Sequence, residues 1–360
     1  MIARFPRASF VSHIHIAHTQ EDIADIVLHL SDPLFVFTEE SLYGCLSPLL
    51  PYLPKNLHIY AVPCGQKVKS RKTQHALENF LARHHAHRHS TLLCLGGGSI
   101  LDIGGFVASI YARGILLVFV PTTLLAMVDA CFGGKTAIDT ALGKNLLGSF
   151  YPAEHILLFY PYIQSLPLSC KQDALGEILK YSLIHDTVLF QFLQQHPDTW
   201  HEERHIDFII RTCLQTKMQI VAKDPADQGM RKLLNFGHTI GHALEACYHL
   251  SHGQAVLLGI LAETLLCVQQ DYLDKQEAEK IFALPFFPSF TEPLYTQRLF
   301  AFLLRDKKCK DHTIDMPMLC KIGKPMSFEE RYVTALSLNL LKRFLTSQEF
   351  RESLQGRLSL

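Results

Sequence analysis

The stretch LLNFGHTIGHALEA, residues 233–246, holds two histidines four residues apart in a sequence that reads as helix. At about 3.6 residues per turn, His238 and His242 share one face, with Asn235 a turn before and Glu245 a turn after. Paired imidazoles at this spacing are what a zincin uses to hold zinc. The glutamate of that pattern is missing, because Thr239, Ile240 and Gly241 lie between the histidines. Spacing alone leaves open which of the two meets a metal.

A second stretch, LCLGGGSILD (93–102), follows an apolar run and opens a helical pattern. Glycines at such a junction let a phosphate approach backbone N–H groups at the positive end of a helix. Gly96 and Gly98 match the dinucleotide fingerprint, whereas its third glycine position holds Leu101. An ordinary turn closed by a Ser99–Asp102 capping box is the competing reading. CFGGKTA (131–137) resembles the end of a P-loop, but Asp129 occupies the opening glycine position and excludes that motif. The run HHAHRH (His84, His85, His87, His89) reads as a solvated helix end, with no carboxylate close by to complete a metal site.

The elements that must position these residues fall into two halves. PLFVF (33–37), HIYAV (58–62), TLLCL (91–95), ILLVFV (115–120) and HILLFY (155–160) read as buried strands, with helical patterns at 71–83 and 100–112 between them. This alternation predicts a parallel α/β sheet. Beyond SLPLS (165–169) strand signals nearly vanish, and 173–185, 205–222, 236–249, 254–270, 297–304 and 328–345 have helical spacing. We therefore expect an α/β domain over 1–165 and an all-α domain over 166–360. A chain of 360 residues is long enough for two cores.

Lysine plus arginine equals aspartate plus glutamate at 34 each, so the overall charge gives no reason to expect nucleic acid or a membrane surface as partner. Any anion chemistry must come from a local cluster. The ten cysteines form no C-x-x-C pair and read as free thiols of a reducing cytoplasm. No signal-peptide pattern opens the chain, and no apolar stretch is read as reaching the roughly 18 residues of a membrane helix.

Taken together, PCGQKVKS (63–70), GGGSILDIGGF (96–106), YARG (111–114), the block from Val120 to Tyr151, LGEILKY (175–181), RKLLNFGHTIGHALEA (231–246), SHGQAV (251–256) and RDKK (305–308) closely resemble the 3-dehydroquinate synthase family. The motifs run in family order from residue 63 to 308. The resemblance implies a Rossmann-like NAD-binding domain followed by a helical metal-binding domain, with the active site in the cleft between them. It also implies conversion of 3-deoxy-D-arabino-heptulosonate 7-phosphate into 3-dehydroquinate and phosphate. The family route is transient oxidation by NAD, β-elimination of phosphate, re-reduction, ring opening and intramolecular aldol closure, within aromatic amino acid biosynthesis. Oxidation of one hydroxyl acidifies the neighbouring C–H, which is why a redox-neutral reaction uses NAD. A homodimer in the cytoplasm is the implied setting.

By the same resemblance Glu177, His238 and His252 are the ligands of a zinc ion, with cobalt as a substitute, acting as a Lewis acid on substrate hydroxyls. His242 lies beside the substrate without binding metal. Lys135, Lys180, Asn145 and Asp129 join it as catalytic groups, and Arg113, Lys217, Arg231, Asn235 and Lys307 hold the substrate's phosphate and carboxylate. Lys307 is preferred over Lys308. Gly97, Gly98, Asp102, Thr122, Thr123, Lys135, Lys144, Lys69 and Gln66 face NAD.

Four positions depart from the family pattern, of which Cys131 for a serine is bland. Cys64 and Gln66 stand where it has carboxylates, which predicts a weaker hydrogen bond to a ribose hydroxyl. Gln254 replaces a glutamate beside His252, which predicts a looser metal. An NAD- and metal-dependent polyol dehydrogenase needs no basic cluster, so the lysines and arginines argue against it. A sugar phosphate cyclase with a different product shares the elimination and aldol steps and remains the nearer rival. A non-catalytic relative has little use for a complete set of ligands and lysines.

Overall fold

The computed structural model describes residues 2–5, 8–27, 30, 33–64, 68–141, 143–305, 309–327 and 331–356. It divides into two compact units, Met1–Lys171 and Gln172–Leu360.

In the first unit the elements run β1 (Ile2–Phe5), β2 (Ala8–Ala17), α1 (Glu21–Val27), β3 (Leu34–Glu39), α2 (Tyr43–Leu46) and β4 (His58–Val62). They continue with α3 (Arg71–Arg83), β5 (Thr91–Gly96), α4 (Gly98–Ile110), β6 (Leu116–Pro121), β7 (Lys135–Thr140) and β8 (Gly143–Phe150). After β9 (His155–Phe159) come α5 (Pro161–Gln164) and α6 (Leu168–Gln172). One sheet is ordered β1-β2-β9-β6-β5-β3-β4. All its pairings are parallel except that of edge strand β1 with β2. Every residue of β5 is buried, as expected for a strand covered on both faces. From β3 the chain steps outward to β4, then returns to the other side of β3 with β5. That reversal is where open α/β sheets place ligands, at the carboxyl ends of the strands. The end of β5 carries Gly96, Gly97 and Gly98.

The five apolar runs become strands β3, β4, β5, β6 and β9, and the two helical patterns become α3 and α4. β2 escapes a run-based reading because its apolar residues alternate with Ser12, His13 and His15. His13 and His15 stack with His155 of the neighbouring strand, ring centroids 5.4 and 5.3 Å apart. The β7–β8 hairpin stands apart from the main sheet as a two-stranded ribbon with an exposed β8. His84 ends α3 with its ring on Phe80 and His58, and His85, His87 and His89 are exposed, a solvated helix end.

The second unit is built on α7 (Leu175–Ile184), α8 (Thr187–Gln195), α9 (Glu203–Lys223), α10 (His238–Tyr248), α11 (His252–Gln269), α12 (Lys275–Phe282) and α13 (Thr296–Leu303). Short strands β10 (Cys309–Lys310), β11 (Thr313–Met316), β12 (Leu319–Lys321), β13 (Lys324–Pro325) and β14 (Thr334–Ser337) follow. Helices α14 (Leu338–Thr346) and α15 (Gln348–Leu354) come last. The unit is therefore helical with small antiparallel additions rather than wholly α. Strands of two to four residues are too short to show a period. The helix expected over 328–345 begins later, because the Ser337 hydroxyl accepts the Leu340 N–H at 3.2 Å and caps α14 there.

One expectation is overturned. Helix α11 has the length and apolar composition to cross a membrane, which the sequence reading missed because His252, Gln254 and Glu263 interrupt the run. It is 78% buried inside the fold and serves as the core helix of this unit.

Candidate functional site

In the second unit α7, α10 and α11 converge. Gly237, just before α10, is in the left-handed region (φ 77°), and a Cβ there would lie 2.6 Å from Ile260 Cγ1. A Cβ on Gly259 would overlap the Gly237 carbonyl. The two helices thus meet backbone to backbone, which sets His238 and His252 close together. Glu177 Oε1 lies 3.0 Å from His238 Nε2 and 2.9 Å from His252 Nε2. One ligand atom from each of the three residues falls within 4.8 Å of the others, a donor set of two imidazoles and a carboxylate. This is the composition of a catalytic zinc site with an open position. The residues present fit the metal.

His238 Nδ1 lies 3.1 Å from the Phe236 carbonyl, which assigns the ring's hydrogen to Nδ1 and turns the Nε2 lone pair toward Glu177. Burial lowers the His238 pKa, with the Glu177 carboxylate opposing it, so the neutral ligand form is favoured. Burial alone would raise Glu177. Lys180, bonded to its other oxygen, and His238 outweigh that and hold the carboxyl well below its usual range. Burial likewise works against a charged His252, yet Glu177 and Glu245 push its pKa up to about 10. The cluster favours a cation at His252, whether proton or metal.

His242 is exposed, its ring 5.2 Å from that of His238 and 6.1 Å from that of His252. Lys180, Lys217 and Arg231 are buried in the same unit, with 2%, 6% and 1% exposure, far from the usual state of such residues. The Arg231 backbone is tied down by Asp224, whose Oδ2 accepts its N–H at 2.9 Å. Asn235 is half-buried, with its amide on the Lys232 carbonyl at 3.1 Å.

In the first unit Lys69 is the hub. Its ammonium bonds the Asp102 carboxylate of α4 and the Asn145 side chain of β8. The Asn145 N–H in turn bonds Asp139 Oδ1 at 3.0 Å. An open groove of about 620 Å³ beside Lys69 is lined by Ser70, Arg71, Lys72, Asp139 and Thr140. Helix α4 is N-capped by Gly97 with no side-chain cap, so its first N–H groups suit a phosphate. The alternative capping box of Ser99 with Asp102 is not formed. Thr122 is buried with its N–H on the Gly96 carbonyl at 3.0 Å, and the Thr123 side chain lies over Gly97. Lys135, Lys144 and Arg113 are exposed, the last with φ 64° next to Ala112 at φ 50°. Two successive left-handed non-glycine residues mark strain of the kind found at functional turns. Asp129 lies in a π-helical turn, Ala126–Ala130. Gln66, Lys307 and Lys308 lie outside the described residues.

The 3-dehydroquinate synthase N-terminal model matches residues 59–172, and the 3-dehydroquinate synthase C-terminal model matches 174–309. The chain belongs to the 3-dehydroquinate synthase family. The 3-dehydroquinate synthase of Clostridium acetobutylicum is 34% identical over 271 residues, 73% of this chain and 75% of that one. Among solved structures, a 2-deoxy-scyllo-inosose synthase complexed with carbaglucose-6-phosphate, NAD+ and Co2+ superposes with a TM-score of 0.86 at 21% identity. It covers 96% of this chain and 98% of its own. The 2-epi-5-epi-valiolone synthase ValA of Streptomyces hygroscopicus, with NAD+ and Zn2+ bound, gives 0.80 at 23%, with the same coverage. Both share the fold.

Within this member of the 3-dehydroquinate synthase family, three further carboxylates surround the ligand set; spacing had already put Glu245 on the face of His238 and His242, while Asp173 and Glu263 were not anticipated. Asp173 Oδ1 accepts the Ser251 hydroxyl at 2.5 Å and the Gly253 N–H at 2.8 Å, fixing the start of α11 and thus His252. Glu245 Oε2 lies 3.8 Å from His252 Nδ1. Glu263 accepts three backbone N–H groups at the start of α10. A lone glutamate inside the apolar run AVLLGILAETLL was the available signal for the last. The Gln254 side chain is exposed and completes a capping box with Ser251, a position that takes Gln as well as Glu, while the carboxylates beside His252 are Glu177 and Glu245.

Proposed function

We propose that the chain is a 3-dehydroquinate synthase, a carbon–oxygen lyase that converts 3-deoxy-D-arabino-heptulosonate 7-phosphate to 3-dehydroquinate and phosphate. The observation that carries this reading is the meeting of a two-histidine, one-glutamate ligand set with buried Lys180, Lys217 and Arg231 in one unit. A polyol dehydrogenase has a use for the ligands and for Lys180 beside Glu177, but not for buried Lys217 and Arg231, whereas a substrate bearing a phosphate and a carboxylate needs such cations.

When bound, NAD supplies reversible hydride transfer and zinc supplies Lewis acidity at the substrate hydroxyls. Glu177, His238 and His252 hold the metal, and Lys180 keeps Glu177 ionised. Arg231 serves as a bidentate anion clamp, Lys217 as a point charge, and Asn235 as a neutral donor, with Lys307 completing the set. His242, exposed one turn beyond a ligand, stands with Glu245 beside His252 and relays the proton lost at the acidified carbon. Gly97 and Gly98 bring the α4 N-terminus to the NAD pyrophosphate. Asp102, Lys69, Lys144, Thr122, Thr123 and Gln66 orient the rest of the dinucleotide. Lys135, Asn145, Asp129 and Arg113 contact the substrate. The described cysteines are all free thiols, which supports a cytoplasmic setting.

A second reading, a sugar phosphate cyclase with another product, draws on the fold shared with the inosose and valiolone synthases. A substrate panel separates them. The holoenzyme should release phosphate from the heptulosonate phosphate and form 3-dehydroquinate, with no cyclised product from glucose 6-phosphate or sedoheptulose 7-phosphate. Turnover of a hexose or heptulose phosphate instead would move the assignment to the second reading.

A further inference from the structure

We propose that Glu263 is the positioning residue for the metal ligand His238, an inference that rests on the reading of Glu177, His238 and His252 as the ligand set. Glu263 is wholly buried on α11, amid apolar neighbours of the kind that make an unsatisfied carboxylate costly. Its two oxygens both reach one short segment. Oε2 accepts the Gly237 N–H at 2.8 Å, and Oε1 accepts those of Thr239 and Ile240 at 3.0 and 3.1 Å. These donors bracket His238 on both sides.

The first turn of a helix leaves N–H groups without intrahelical partners, and α10 has no cap of its own, since its N-cap is Gly237. Glu263 fills that role from another helix. A carboxylate at this end also gains from the helix dipole. The consequence reaches the imidazole. The Gly237 peptide is held in its left-handed turn, the Phe236 carbonyl before it faces His238 Nδ1, and Nε2 is thereby aimed at Glu177 Oε1. Because Glu263 rides on the helix that begins with His252, the same carboxylate ties the two histidine-bearing helices into one frame.

Ordinary capping, valuable only for stability, is the competing account. The two differ in what Glu263→Gln does. An amide oxygen can serve Thr239 and Ile240, but its NH2 then faces the Gly237 N–H, donor against donor, and the peptide preceding His238 must turn away. Chelator-competition titration of full-length protein with Zn2+, and visible absorption of the Co2+ form, read this directly. We expect Glu263→Gln to weaken Zn2+ binding about 10–100-fold and to alter the Co2+ spectrum, as displaced supports of metal ligands do. Asp274→Ala is the matched control. It removes a carboxylate cap on α12, where Asp274 accepts the Gln276 N–H at 2.8 Å, and should lower stability with metal affinity unchanged.

Glu263→Asp, which keeps the charge but falls a methylene short of three donors, gives a second reading where Glu263→Gln does not fold. Wild-type affinity and an unchanged Co2+ spectrum in either folded variant would overturn the proposal. So would a matching loss of metal in Asp274→Ala. Glu177→Ala keeps the two questions apart. If that variant holds Zn2+ as wild type does, the ligand assignment itself fails, whatever Glu263 shows.

Discussion

Replacing Lys180 by methionine should destabilise the metal-free protein far more than the zinc-loaded one. The Lys180 and Glu177 side chains are 2% and 1% exposed and bonded to each other, so the pair is screened by protein rather than water. Methionine approximates the lysine stem and removes only the charge. It leaves a buried carboxylate whose nearest remaining partners are the rings of His238 and His252. Breaking a buried pair from one side costs about 3–5 kcal/mol. For a unit of this size each kcal/mol moves the melting temperature by roughly 2–4 °C, so the metal-free variant should melt about 6–20 °C below wild type. In the zinc form a dication shares the same carboxylate and compensates for most of the lost charge. The gap between variant and wild type should therefore shrink, and the stabilisation gained from zinc should rise. Differential scanning calorimetry of both proteins, stripped and zinc-saturated, measures all four values. Equal destabilisation with and without zinc would show that Glu177 does not meet the metal. A loss below about 1 kcal/mol would show that the pair behaves as an exposed one.

Metal content should depend on Glu177, His238 and His252 but not on His242. Metal analysis of the four alanine variants tests this, and a metal-free His242→Ala protein would reverse the assignment of the two histidines. Lys217→Ala and Arg231→Ala should each lower phosphate release at least tenfold while retaining zinc, since a lost charge-assisted contact costs about 1.5–3 kcal/mol. Rates near wild type in both would make the buried cations structural. Burial, reinforced by His155 and His13, lowers the pKa of His15 to about 4. The unfolded chain then binds a proton that the folded chain refuses, so stability should fall as pH drops from about 6.5 to 4 and level off below. Allowing for solvent screening of a half-buried ring, the effect is about 1–2 kcal/mol. His15→Asn should flatten that part of a urea-denaturation profile, and an unchanged profile would place the acid sensitivity elsewhere.

The legible parts of this protein were those written in contiguous sequence. Five apolar runs announced the buried strands, because a strand covered on both faces has no polar alternation to disguise it. The glycines after β5 announced the helix N-terminus, and the histidine pair of α10 announced a shared face. What resisted reading depended on contacts between segments far apart in the chain. Asp173 and Ser251, or Glu263 and Gly237, carry no local pattern that links them. Gln254 looked like a weakened metal support when judged by its proximity to His252. Its physical neighbour is the Ser251 cap. Helix α11 shows the opposite hazard, where composition alone suits a membrane and only packing reveals the core. Family resemblance supplied the ligand set that spacing left undecided; Glu177, His238 and His252 stand together, and so do His242, Glu245 and His252.

The central claim is that NAD is used and regenerated within one turnover of a phosphate-eliminating cyclisation. The most direct test is to supply the holoenzyme with heptulosonate phosphate deuterated at the carbinol carbon to be oxidised, and to follow product and cofactor by NMR and absorbance. One phosphate should be released per 3-dehydroquinate formed, with deuterium retained at that carbon of the product and no net change in NAD. Accumulation of deuterated reduced cofactor, NADD, in step with an oxidised, uncyclised product would contradict this and identify a dehydrogenase.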